Sequence, residues 1–113
     1  MRESEKLVDW LVLNRFSVDN LQAFTTLYKA FPEPSRIFSL EKEDLEHVEG
    51  VQLQTLKRIR KFHARYTEMA KRELEILEKT GVHILTLVDP GYPELLKNIF
   101  DPPFVIYLKG QIS

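Results

Sequence analysis

Leu56-Lys57-Arg58-Ile59-Arg60-Lys61-Phe62-His63-Ala64-Arg65-Tyr66 is the stretch on which the reading of this chain turns. At about 100° per residue, the pitch of an α-helix, Leu56, Ile59, Phe62, Tyr66, Met69, Leu74 and Leu77 fall on one side. Lys57, Arg58, Lys61, Arg65 and Arg72 fall on the other, with Arg60 and Lys71 at the edge. That separation predicts one long amphipathic helix over 53–79. Gly81 is its natural stop, because glycine takes the left-handed conformation that closes a helix without strain.

Toward the N-terminus, residues 5–16 are dense in Leu and Val and carry Trp10 and Phe16. A helix apolar most of the way round is a buried helix. Ser17 stands where an N-cap belongs, with Asp19 in the turn behind it, and Leu21, Phe24, Leu27, Tyr28 and Phe31 follow at helical spacing up to Pro32. Pro34 suits the first position of a single helical turn over 33–38. Ser39 is expected to cap a short helix containing Leu45 and Val48, which Gly50 ends. The expected core is Leu7, Trp10, Leu11, Leu21, Phe24, Leu27, Ile37, Leu45, Val48, Leu56, Ile59 and Phe62.

Beyond Gly81 the pattern changes. Val82 to Val88 is β-branched and apolar and reads as a buried strand. Asp89-Pro90-Gly91-Tyr92-Pro93 is turn chemistry, Glu94 to Phe100 a short helix, and Phe104 to Leu108 a second strand. Fifteen residues lie between Val88 and Phe104. That is room for a crossover, so the two strands are expected to run parallel. A lone parallel pair has open edges and uncovered faces, which predicts that the natural protein continues past Ser113.

Composition narrows the function. The apolar fraction of 43% excludes a wholly disordered chain. The absence of cysteine excludes disulfides, thiolate catalysis and cysteine zinc sites, and a small domain without disulfides fits the cytoplasm. Leu7 to Leu13 contains Asp9 and is too short for a signal peptide or a membrane span. Net charge is only −1, yet residues 51–72 hold seven Lys/Arg against Glu68 alone, while the flanking segments are acidic. Concentrated cationic charge is what a polyanion reads. Lys57, Arg58, Lys61 and Arg65 read either as a phosphate-tracking stripe, the candidate contact for a nucleic acid, or as a solvated helix face.

Other chemistry is sparse. His47, His63 and His83 lack metal-ligand spacing, so no metal site is expected. No nucleophile stands beside a base, so no catalytic residue is assigned and no cofactor is expected. The aromatics sit at helical spacing on apolar faces and read as core. Glu41, Glu43, Asp44, Glu46 and Glu49 read either as helix-start charge or as a docking surface for a basic partner.

One segment has a family look. Tyr92-Pro93-Glu94-Leu95-Leu96-Lys97-Asn98-Ile99-Phe100-Asp101-Pro102-Pro103, the strand Phe104 to Leu108, and Lys109-Gly110 resemble the segment that opens the extended Rossmann domain of DprA/Smf DNA-processing proteins. Trp10-Leu11-Val12-Leu13-Asn14, the Val48-Glu49-Gly50-Val51 turn and the long helix ending in Thr80-Gly81-Val82 are similar to the sterile-alpha-motif-like or helix-hairpin-helix-like module often found at that family's N-terminus. The resemblance implies a mainly α fold: a helical module over 1–66, then an incomplete Rossmann-like α/β segment over 67–113 with two short strands. It implies a non-enzymatic protein that binds incoming single-stranded DNA and helps load a RecA-type recombinase in natural transformation, with possible homo-oligomers and no membrane. The family's Gly-Ser-Arg phosphate loop would lie beyond Ser113, leaving this stretch an accessory module. The turn at Val48-Glu49-Gly50-Val51-Gln52 has one glycine where helix-hairpin-helix turns use two. Two other classes stay open: a protein–protein module without DNA contact, and the N-terminal part of a Rossmann-like nucleotide-binding enzyme, which would require a Gly-rich strand-to-helix turn.

Overall fold

The structure, a computed structural model, describes residues 3–17, 21–99 and 102–109. In chain order it contains α1 (Glu3–Ser17), α2 (Leu21–Ala30), α3 (Pro34–Ile37), a 3-10 turn (Lys42–Leu45), α4 (Leu53–Lys79), β1 (Val82–Thr86), α5 (Glu94–Lys97) and β2 (Val105–Lys109). The fold is mainly α with a two-stranded sheet, as the periodicities indicate. None of the described helices is long and apolar enough to cross a membrane.

α1 is the central element. Val8, Trp10, Leu11, Val12, Leu13 and Phe16 are all buried, and α2, α3, α4 and β2 pack around them. A helix with apolar residues on every side needs neighbours on every side. α4 lies along α1 through Leu56, Ile59, Ala70 and Leu74. Each fully buried aliphatic or aromatic side chain of this core contributes about 1.5–3 kcal/mol relative to exposure.

Most of the expected core is present. Trp10, Leu11, Phe24, Leu27, Ile37, Leu56 and Ile59 are buried, and Leu7, Leu45 and Phe62 pack against them partly exposed. Val48 is half-buried outside this cluster, and the Leu21 side chain lies outside what the structure describes. Met69, expected on the inner face of α4, is 43% exposed.

Two expected caps do other work. Ser17 is the last residue of α1, and its buried hydroxyl donates to the Asn14 carbonyl at 2.8 Å. Ser39 closes α3, its hydroxyl donating to the Arg36 carbonyl at 3.1 Å. The 3-10 turn is opened instead by Glu41, whose backbone N–H donates to Asp44 Oδ2 at 2.8 Å. A short polar side chain next to a helix can serve either end, and composition alone does not say which. Gly50 and Gly81 do take left-handed backbone, at φ 85° and 73°.

The strands correct the parallel expectation. β1 and β2 are antiparallel, with Val82 opposite Lys109 and Thr86 opposite Val105. A parallel return must carry the chain back along β1, about 17 Å for five residues. The intended crossover helix, α5, is one four-residue turn, about 6 Å long, and it stops before Phe100. The chain instead turns beside the end of β1. Asp89 accepts from the Thr86 N–H at 2.6 Å and from its hydroxyl at 3.2 Å. The buried Tyr92 donates its hydroxyl to the Pro103 carbonyl at 2.8 Å, clamping the two ends of this wide hairpin. Phe104 then inserts into the helical core, with ring centroids 5.4 Å from Tyr28 and 6.4 Å from Trp10.

Candidate nucleic-acid interface

α4 presents Lys57, Arg58, Lys61 and Arg65 to solvent, and Arg72 further along. Lys57, Lys61 and Arg65 stand four residues apart, so they stack along one face about 6 Å apart. Leu56 and Ile59 fix which face this is: burying them against α1 leaves the cations no other direction. Among the described residues, no carboxylate lies within ion-pair distance of Lys57, Arg58, Lys61, Arg65 or Arg72.

The edge cations behave differently. Arg60 donates to the Leu40 carbonyl and pairs with Glu41 Oε2 at 3.2 Å, joining α4 to the loop before the 3-10 turn. Lys71 pairs with Glu68 at 3.0 Å. These two are paired with carboxylates, whereas among the described residues the four candidates are not.

The face is backed by aromatic rings. Phe16 meets Phe62 edge-on at 4.5 Å, and Phe62 stacks on Tyr66 at 4.2 Å. The Arg58 guanidinium lies 5.9 Å from the Phe16 centroid and that of Arg65 lies 5.7 Å from Tyr66. Rings hold a guanidinium by its face and leave the N–H donors at its edge free for an anion. The tertiary structure adds one cation that periodicity in α4 could not show. Arg15, at the end of α1, places its guanidinium 5.2 Å from the Tyr66 centroid. Only the packing of α1 on α4 brings it there.

The histidines divide by environment. His63 sits with Nε2 3.1 Å from Asp9 Oδ1 and its ring stacked 4.3 Å from Phe38. Asp9 is 54 positions away in sequence, so spacing could not have revealed the pair. It ties α1 to α4 and is a packing contact. Among the described residues, no three His, Asp or Glu side chains gather into a metal-holding group.

Gln52 opens α4 from extended backbone (φ −92°, ψ 155°) with no side-chain cap, two residues after the left-handed Gly50. With one glycine, this turn does not form the paired-glycine hairpin that would aim several amides at a phosphate.

No family model matches the chain, and no solved structure matches it. Over 45 residues the chain is 33% identical to Protein Smf of Borreliella burgdorferi. That stretch is 40% of this chain and spans 14% of the length of that relative. Over this part the chain is similar to a protein carrying the Smf name, the family that the 92–110 segment resembles.

Proposed function

We propose that this chain is an accessory DNA-binding module of a DprA/Smf-type DNA-processing protein, acting by binding and not by catalysis. Lys57, Arg58, Lys61 and Arg65 form the contact surface, with Arg15 completing it from α1. The observation that carries this reading is the sorting of the cations. Arg60 and Lys71 are neutralised within the molecule, whereas the four face residues are exposed, unpaired among the described residues and, for the arginines, held against rings. The partial similarity to Smf supports the same assignment.

Such a surface binds phosphates through charge and counterion release, so it reads backbone and little sequence. Single-stranded DNA is the proposed ligand. In the whole protein the module would add affinity to a main site elsewhere and keep the strand near a RecA-type recombinase as it loads.

The test is a fluorescence-anisotropy titration with labelled single-stranded DNA at about 50 and about 200 mM salt. With four phosphates neutralised at a slope of about −0.7 per contact, affinity falls roughly 50-fold between the two salts. The variant Lys57→Glu, Arg58→Glu, Lys61→Glu and Arg65→Glu, checked for native helicity, is expected to lose binding. No binding by the wild-type chain at low salt refutes the reading.

A further inference from the structure

Where the first half of α1 meets the step between α2 and α3, the molecule carries a cleft of about 180 Å³. Lys6, Asp9 and Trp10 line it from α1, Pro32, Glu33 and Pro34 from the α2–α3 step, and Val88 from the turn after β1. None of these residues belongs to the basic face of α4. Lys6, Asp9 and Trp10 reach one cleft because residues three and four apart share a side of a helix.

Two hydrogen-bond donors here lack acceptors. Trp10 is 6% exposed, yet among the described residues nothing accepts from its indole N–H. A buried indole N–H usually finds an acceptor. Lys6, one helical turn earlier, is exposed with no carboxylate within ion-pair distance among the described residues.

Two carboxylates are likewise open. Asp9 holds His63 Nε2 through Oδ1 at 3.1 Å, while Oδ2 has no partner among the described residues. Glu33 stands at the N-cap of α3, but its side chain makes no capping bond and, among the described residues, no ion pair. Pro32, Pro34 and Val88 add apolar surface, the last 61% exposed.

Size limits the occupant. A cavity of roughly 150 Å³ holds a benzene-sized molecule, whereas drug-sized ligands occupy about 300–1,000 Å³. A whole nucleotide is therefore too large. The occupant has to offer an acceptor to Trp10 and Lys6, a cation to Asp9 and Glu33, and apolar surface to the prolines. A free α-amino acid with an aliphatic side chain carries all three in one small molecule.

We propose that this cleft binds a free aliphatic α-amino acid. Its carboxylate accepts from the Trp10 indole and from Lys6, its ammonium donates to Asp9 and Glu33, and its side chain lies against Pro32, Pro34 and Val88. Charge-assisted hydrogen bonds at both ends select the zwitterion. Only the folded chain forms the cleft, so occupancy raises the unfolding temperature. The site does not depend on the DNA-binding reading, and its test contains no nucleic acid.

Trp10 is the sole tryptophan and lines the cleft, so its fluorescence reports occupancy. The chain is titrated with L-leucine and with L-valine. The controls are N-acetyl-L-leucine, which lacks the ammonium, and L-leucinamide, which lacks the carboxylate. The free amino acids are expected to give a saturable change, half-complete at or below about 1 mM, and a raised unfolding temperature. Each control is expected to bind at least about tenfold more weakly. Glu33→Gln and Lys6→Met alter exposed side chains, and circular dichroism confirms their fold. Both are expected to weaken L-leucine. Glu33→Gln should also narrow its advantage over N-acetyl-L-leucine, and Lys6→Met its advantage over L-leucinamide. No saturable response up to about 10 mM of either amino acid overturns the proposal. So do controls that bind as well as the free amino acids, or two variants that both bind L-leucine like the wild type.

Discussion

Phe104 joins the hairpin to the helices, and replacing it tests whether the two are one cooperative unit. Its side chain is 2% exposed, between Tyr28 and Trp10. Phe104→Ala removes a buried aromatic side chain and two aromatic contacts and leaves a cavity, at a cost of about 3–5 kcal/mol. Phe104→Leu, which keeps most of the volume, should cost about 1.5 kcal/mol. With a urea slope of about 1.5 kcal/mol/M for a domain of this size, the alanine variant loses about 2–3 M in midpoint and the leucine variant about 1 M. Trp10 is the sole tryptophan and lies against Phe104, so its fluorescence reports the hairpin contact while circular dichroism reports the helices. Both signals are expected to move together. A leucine variant whose helical transition stays within a few tenths of a molar of wild type would show that the hairpin is an appendage, refuting the shared core.

Four further outcomes follow from local geometry. Gly50→Ala and Gly81→Ala meet no atom within 4 Å, so their cost is the left-handed backbone alone, about 1–2 kcal/mol each by urea melts. Gly91→Ala finds only Leu85 at 3.5 Å without a left-handed φ, and should be neutral or slightly stabilising. Burial and the neighbouring Glu73 push the Tyr107 phenol up to about 12. The folded state therefore holds its proton where the unfolded chain releases it, and stability falls as pH rises from about 10 to 12. Tyr107→Phe is expected to flatten that alkaline slope, read from thermal midpoints across the same pH window. Asp9→Ala removes the partner of His63 across α1 and α4 and should cost about 1 kcal/mol in a urea titration.

Periodicity alone settled the long helices and the exposed face of α4. The 3.6-residue repeat from Leu56 to Leu77 dictates α4, and because the apolar residues must face α1, it also dictates that Lys57, Arg58, Lys61 and Arg65 face water. Gly50 and Gly81 were legible as helix stops, since few other residues tolerate their left-handed backbone. These are local properties, set by bonding geometry within a few residues. The tertiary structure decided what depends on long-range contact. Arg60 is withdrawn from the basic face by Glu41. Arg15 joins that face, and His63 finds Asp9. The sense of β2 is likewise a tertiary outcome: the apolar pattern of Val105 to Leu108 suits either direction, and only the clamp of Tyr92 on Pro103 and the burial of Phe104 between Trp10 and Tyr28 select the antiparallel one.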